Sequence, residues 1–141
     1  MVKEIWRFFY KNVTFVPIDN TGKIVITKTE QTPQAIFDLK NGTLELDGKI
    51  VAENPLDFFD RLNRWIEEYV ASNNSNKLVV NLRLDYFNTV ASKMLSKFFI
   101  KLIAQNAQIN WFYEKDDEEI KEAGEDYKIM LNYEINIVEK A

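Results

Sequence analysis

A chain of 141 residues without cysteine or histidine suits one domain that buries about two-thirds of its unfolded surface; disulfides, thiol nucleophiles, thiolate metal sites and the commonest general base are unavailable to it. Eighteen basic against 22 acidic residues leave a net charge of −4, which disfavours general binding to a phosphate backbone. No apolar run reaches the roughly 20 residues of a spanning helix, and Lys3, Glu4 and Arg7 interrupt the stretch where a signal peptide needs an unbroken apolar core. A cytoplasmic protein, not attached to a membrane, is therefore expected.

Ile5, Trp6, Phe8, Phe9, Tyr10, Val13, Phe15 and Val16 crowd the first residues, and Asn12 between two apolar stretches suggests a short hairpin or strand pair. Pro17 and Asp19–Gly22 mark a junction. Strand-like pieces follow at Lys23–Thr27, Ala35–Leu39 and Thr43–Leu46, the last two joined by the hairpin dipeptide Asn41-Gly42. Asp47-Gly48 reads as a second turn before Lys49–Ala52. Asn54-Pro55 opens a helix, with Asn as cap and Pro in the first helical position. Phe58 or Phe59, Leu62, Trp65, Ile66 and Tyr69 continue it at helical spacing, until the polar run 72–76 stops it.

Leu78–Leu84 alternates as a strand, with Leu78, Val80, Leu82 and Leu84 on one face and Asn81 and Arg83 on the other. Asn88 caps a second helix with an apolar stripe of Ala91, Met94, Leu95, Phe98, Leu102 and Ile103, and an outer face of Lys93, Lys97 and Lys101. Gln108–Tyr113 is a further strand. Four carboxylates, Asp116 to Glu119, suit the positive end of a third helix, and Ile135–Val138 is a last strand. The order β-β-β-α-β-α-β-α-β predicts an α/β domain whose mixed sheet is flanked by about three helices.

Chemistry has few places to reside. No glycine-rich phosphate loop exists, and no Ser/His/Asp or Cys/His constellation is possible. The acidic run Glu114 to Glu119 offers oxygen ligands but lacks the spacing and glycine of an EF-hand, and reads as a solvated helix start; no metal or cofactor is expected. The basic and aromatic N-terminus reads as a packing or self-association segment rather than a nucleic-acid platform. The lysine face reads as solvated or as a contact for an acidic partner. Leu84-Asp85-Tyr86-Phe87-Asn88-Thr89 is different. It sits where a buried strand ends and a helix begins, an edge that commonly carries function in open sheets. A hydroxyl in the first helical turn is a suitable phosphate acceptor, because exposed N–H groups and the helix dipole stabilise the added charge. The bland reading of the same residues is a helix cap preceded by loop residues Asp85 and Tyr86.

The string Leu82-Arg83-Leu84-Asp85-Tyr86-Phe87-Asn88-Thr89, followed by Ser92-Lys93, resembles the signature of the SiaC family of bacterial biofilm-regulating phosphoproteins. Thr29 to Pro33, Phe37 to Leu46, Glu53-Asn54-Pro55, Trp65 to Tyr69, Asn110 to Tyr113 and Glu122 to Glu125 fit the family in order, so that the resemblance spans roughly residues 24–138. It implies a STAS-like fold, similar to anti-sigma-factor antagonists, over residues 23–141; residues 1–22 are an N-terminal extension, extra to the usual start of the family, and their own pattern suggests an added strand or hairpin or a self-association surface. It further implies a non-catalytic switch. Thr89 would be phosphorylated by a cognate Ser/Thr kinase and dephosphorylated by a PP2C-type phosphatase. The unphosphorylated form would bind and activate a diguanylate cyclase, controlling cyclic-di-GMP and biofilm formation. Asp85, Tyr86, Phe87, Asn88 and Lys93 would form the partner-binding surface. Val90 and Ala91 stand where family members often carry further hydroxyls. The alternatives are an anti-sigma-factor antagonist acting on transcription, and a small enzyme pairing Asp85 with Asp116 or Asp117 in a polar pocket.

Overall fold

A computed structural model describes residues 23–72 and 76–141. The aromatic segment 1–22, with its expected strand or hairpin and its self-association surface, lies outside the described residues. Six strands, β1 (Lys23–Ile26), β2 (Gln34–Asp38), β3 (Thr43–Ile50), β4 (Val79–Phe87), β5 (Gln108–Tyr113) and β6 (Ile135–Glu139), form one sheet in sequential order. Three helices alternate with its second half: α1 (Leu56–Ala71), α2 (Thr89–Ala104) and α3 (Glu118–Leu131). The mixed sheet and the element order are those expected.

β1, β2 and β3 pair antiparallel, β1 and β2 through a longer loop and β2 and β3 through a short hairpin turn. The turn from β2 to β3 is held by Asp38, whose carboxylate accepts from the Lys40 and Asn41 backbone N–H groups at 3.1 Å and from Asn41 Nδ2 at 2.9 Å. Each later strand follows a helix and pairs parallel with its predecessor. β3 to β6 therefore end on one common edge of the sheet, where α1, α2 and α3 begin.

Alternation within each strand sends one set of side chains into the core. Ile24, Phe37, Leu44, Leu46, Ile50, Val80, Leu82, Leu84, Ile109, Trp111 and Ile135 are all buried. The helices close this face. Trp65 of α1 meets Phe37 edge-on at 4.7 Å, Phe59 of α1 meets Phe98 of α2 at 6.4 Å, and Tyr127 of α3 meets Trp111 at 5.6 Å. Burial of each such aromatic contributes about 2–3 kcal/mol. The opposite face is lined by half-buried and mostly polar residues, as befits a sheet packed on one side. Asn136 donates to Asn110 and Asn110 to Asn81, each at 2.8 Å, and Arg83 pairs with Glu45 while its guanidinium stacks 4.2 Å from the Phe112 ring centre.

Two local expectations are corrected. Asp47-Gly48 is not a turn. β3 runs through it, because parallel pairing with β4 supplies the backbone partners that a turn dipeptide would otherwise find within itself. Gly48 takes φ +132, a conformation that other residues rarely adopt. β4 likewise does not stop at Leu84 but continues to Phe87, so Asp85 and Tyr86 are strand residues and not loop.

Candidate functional site

The register of β3 on β4 slips once: Gly48 lies opposite Leu84, but Lys49 lies opposite Tyr86. Asp85 is thus an extra residue, a bulge that inverts the alternation beyond it. If the same sequence alternated without a bulge, Tyr86 would follow Leu84 into the core. With it, Tyr86 turns out to 52% exposure and Phe87 turns inward, opposite the buried Ile50. Phe87 packs edge-on against Trp111 at 5.9 Å and lies 6.4 Å from Tyr127. It shapes the surface from beneath, while Tyr86 stands on it. Bulges of this kind are frequent beside functional sites, where they re-aim side chains.

The bulge is also tied electrostatically. Lys140, just past β6, lies with its ammonium 3.5 Å from the Asp85 carboxylate and 3.4 Å from that of Glu114, just past β5. Its backbone N–H donates to the Tyr113 carbonyl at 2.8 Å. These groups meet because the parallel strands share an edge. Lys140 is mostly buried and the two carboxylates are largely exposed, so each pair is worth under about 1 kcal/mol.

Asn88 closes the strand and opens α2. Its backbone is extended, and its Oδ1 accepts from the Ala91 N–H at 2.9 Å, the expected cap. Its Nδ2 donates to the Ala52 carbonyl at 2.9 Å and its backbone N–H to the Ile50 carbonyl at 3.1 Å. One side chain therefore caps α2 and fastens it to the connection leading into α1. In α1 the helix proper begins one residue later than expected. Pro55 is the cap position, and Asn54 Oδ1 accepts from the Leu56 N–H at 3.1 Å.

Because Asn88 performs the capping, the Thr89 hydroxyl is not required for it. Thr89 is the first residue of α2 and is exposed. Exposed apolar side chains occupy nearby positions: Tyr86 at the end of β4, Val90 in the first turn of α2, and Leu56 in the first turn of the adjoining α1. Lys93 follows Thr89 by one turn on the exposed face. All six residues singled out from the sequence thus lie within one strand end and one helical turn.

From α3, Tyr127 reaches under this turn. Its hydroxyl donates to the Ser92 carbonyl at 2.8 Å and lies 3.1 Å from Ser92 Oγ. Burial pushes the Tyr127 hydroxyl above its ordinary value, with Ser92 and Ser96 pulling weakly the other way, so it remains a neutral donor. Sequence reading missed Tyr127, and it missed Phe99, which packs 5.0 Å from the Tyr127 ring. The 3.6-residue period of α2 admits Phe99 beside Phe98; nothing local marks Tyr127.

The alternative pairing of Asp85 with Asp116 or Asp117 has no counterpart in these contacts. Asp85 pairs with Lys140, and Asp117 caps α3 by accepting from the Ile120 N–H at 3.1 Å. A groove between α3 and β6 is lined by Tyr113, Lys121, Glu125, Lys128, Ile129 and Ile137, none of them these carboxylates. Among the described residues, no three carboxylates gather at one point, and no helix is long and apolar enough to cross a membrane.

Comparison with known proteins places this architecture. The family model for the SiaC family regulatory phosphoprotein matches residues 26–140. An uncharacterized protein of Pseudomonas aeruginosa (strain UCBPP-PA14) is 27% identical over 109 residues, covering 73% of this chain and 85% of the relative. Among solved structures, a complex of the diguanylate cyclase SiaD with its activator SiaC from Pseudomonas aeruginosa aligns with TM-score 0.75 at 24% identity, covering 82% of this chain and 98% of that one. The apo form of SiaC from the same organism aligns with TM-score 0.71 at 23% identity, covering 84% and 98%.

Proposed function

Since this chain belongs to the SiaC family of regulatory phosphoproteins, we propose that it is a non-catalytic switch whose phosphate acceptor is Thr89. The observation that carries this reading is an exposed hydroxyl at the first position of α2, relieved of capping by Asn88 and set among exposed Tyr86, Val90 and Leu56. Exposed apolar side chains on the elements that flank an unmodified threonine suit a protein partner. Phosphorylation places roughly −1.5 to −2 charges there. The helix N-terminus stabilises the anion in the free protein, so the modified state is tolerated without refolding.

The proposed partner is a diguanylate cyclase, the class of protein with which the structurally similar SiaC is complexed as activator. In this reading the unphosphorylated form binds and activates the cyclase, and so raises cyclic-di-GMP and promotes biofilm formation. A Ser/Thr kinase adds the phosphate and a PP2C-type phosphatase removes it, all in the cytoplasm. Asp85, Tyr86, Asn88 and Lys93 present the shared surface and Phe87 supports it. Burying an unpaired dianion at that interface costs about 3 kcal/mol or more, which weakens binding by roughly two orders of magnitude.

Intact and peptide mass spectrometry after incubation with ATP and an extract of the protein's own cells tests the acceptor. Phosphate on Thr89, absent in Thr89→Ala, is the expected result; modification elsewhere, or none while a control substrate is modified, removes the basis for the switch. Pull-down with Thr89→Ala, which stays unphosphorylated, is expected to recover a cyclase, and stoichiometrically phosphorylated protein is expected to lose it. Recovery of a sigma-regulating kinase instead would redirect the target to transcription.

A further inference from the structure

We infer that Tyr127 is a positioning residue of the acceptor turn, through which α3 sets where Thr89 is presented; this rests on the reading of Thr89 as the acceptor. Among the described residues, the Thr89 hydroxyl has no hydrogen-bond partner. The turn that carries it is held from two sides by other residues. On the α1 side, Asn88 binds the Ala52 carbonyl. On the α3 side, the Tyr127 hydroxyl binds the Ser92 carbonyl at 2.8 Å and sits 3.1 Å from Ser92 Oγ. The Ser92 N–H in turn donates to the Asn88 carbonyl at 2.9 Å, so the two anchors are joined by one backbone link.

Tyr127 is well built for this task. It is 5% exposed, and its ring is fixed by Phe99 at 5.0 Å, Trp111 at 5.6 Å and Phe87 at 6.4 Å. Phe87 is the residue directly before Asn88. Tyr127 therefore touches the chain on both sides of Thr89, at Phe87 by its ring and at Ser92 by its hydroxyl. The Ser92 carbonyl, in the first turn of α2, has an acceptor lone pair left for it beyond any bond within the helix. Removing the hydroxyl therefore leaves no buried carbonyl orphaned. What is lost is the direction from which the turn is held.

Full-length Tyr127→Phe keeps the ring and deletes only the hydroxyl. Amide hydrogen exchange is expected to quicken about tenfold at Ala91, Ser92 and Lys93, while amides of β4 and β5 change less than about twofold. Phe99→Leu, which loosens the same ring without touching Ser92, is expected to change exchange evenly across both regions. Phosphate incorporation at Thr89 in cell extract is expected to slow several-fold in Tyr127→Phe, because a displaced acceptor is poorly aligned for transfer. Unchanged exchange at residues 91–93, a uniform rise throughout the sheet, or a Tyr127→Phe chain that fails to fold would each overturn the inference. So would incorporation equal to wild type. The exchange measurement needs no kinase. If wild-type Thr89 takes no phosphate, the proposed switch fails while the positioning by Tyr127 is still read from exchange.

Discussion

Asn88 joins more of the site than any other single residue. Its side chain caps α2 through Ala91 and reaches the Ala52 carbonyl, so Asn88→Ala removes both bonds. A loss of about 2 kcal/mol is expected, read as a fall of roughly 4–8 °C in Tm; an unchanged melt would show that water replaces both bonds without cost. Tyr127 gives a pH signature. Burial raises its native value above the unfolded one near 10, so its contribution is complete below about pH 10 and fades as the pH climbs through the native value. The stability gap between wild type and Tyr127→Phe, measured by urea midpoints, is therefore expected to narrow above about pH 10. A gap that stays constant would mean that the hydroxyl titrates alike in both states. The two residues differ in how far the sequence exposed them. Asn88 directly precedes a helical pattern and caps it through local bonds, so spacing alone finds it. Tyr127 acts 35 residues away through an aromatic cluster, and only tertiary packing brings it there.

The elements that the sequence pattern located best are those whose partners are local. The β2–β3 hairpin rests on Asp38, Asn41 and Gly42, and α2 and α3 on their caps. The pattern misled where a distant strand decides. Asp47-Gly48 carries the chemistry of a turn yet lies in mid-strand, and the alternation of β4 breaks at Asp85 because of its pairing with β3. At α3 the decisive residue is Gly124. A Cβ there would lie 2.5 Å from Trp111 Cδ1, and the Trp111 indole cannot withdraw easily, since its Nε1 donates to the Ile120 carbonyl at 2.8 Å. Gly124→Ala is expected to cost about 1–3 kcal/mol despite the better helix propensity of alanine. A variant as stable as wild type in denaturant titration would show that α3 can shift outward freely. If it does shift, Tyr127 and the acceptor turn are expected to lose protection with it.

Among the described residues, one apolar layer lies between the sheet and three helices, and the aromatic contacts Phe37–Trp65, Phe59–Phe98 and Phe99–Tyr127–Trp111 run across it. A single continuous core of this kind is expected to unfold in one transition. Trp65 and Trp111 sit at opposite ends of it. In a Trp6→Phe background, variants retaining only Trp65 or only Trp111 are expected to give coincident denaturant midpoints once corrected for their own stability. Separate midpoints would reveal that the antiparallel and parallel halves melt independently. The alternation of strands and helices in the second half made the parallel sheet readable in advance, since each crossover helix implies it. The aromatic segment 1–22 lacks such a periodic cue.

The bulge in β4 makes the character of this surface a matter of counting. Deleting Asp85 would remove the one residue of β4 that β3 leaves unopposed, so Tyr86 would still face Lys49 and Phe87 would still face Ile50. Tyr86 would keep its outward side and Phe87 its inward one, while the local bend of the strand and the carboxylate that meets Lys140 would be lost. The bulge therefore acts as a spare residue: a chain lacking Asp85 is expected to keep partner recognition through Tyr86, and recognition lost in that deletion would show that the bend itself, or the tie to Lys140, is read.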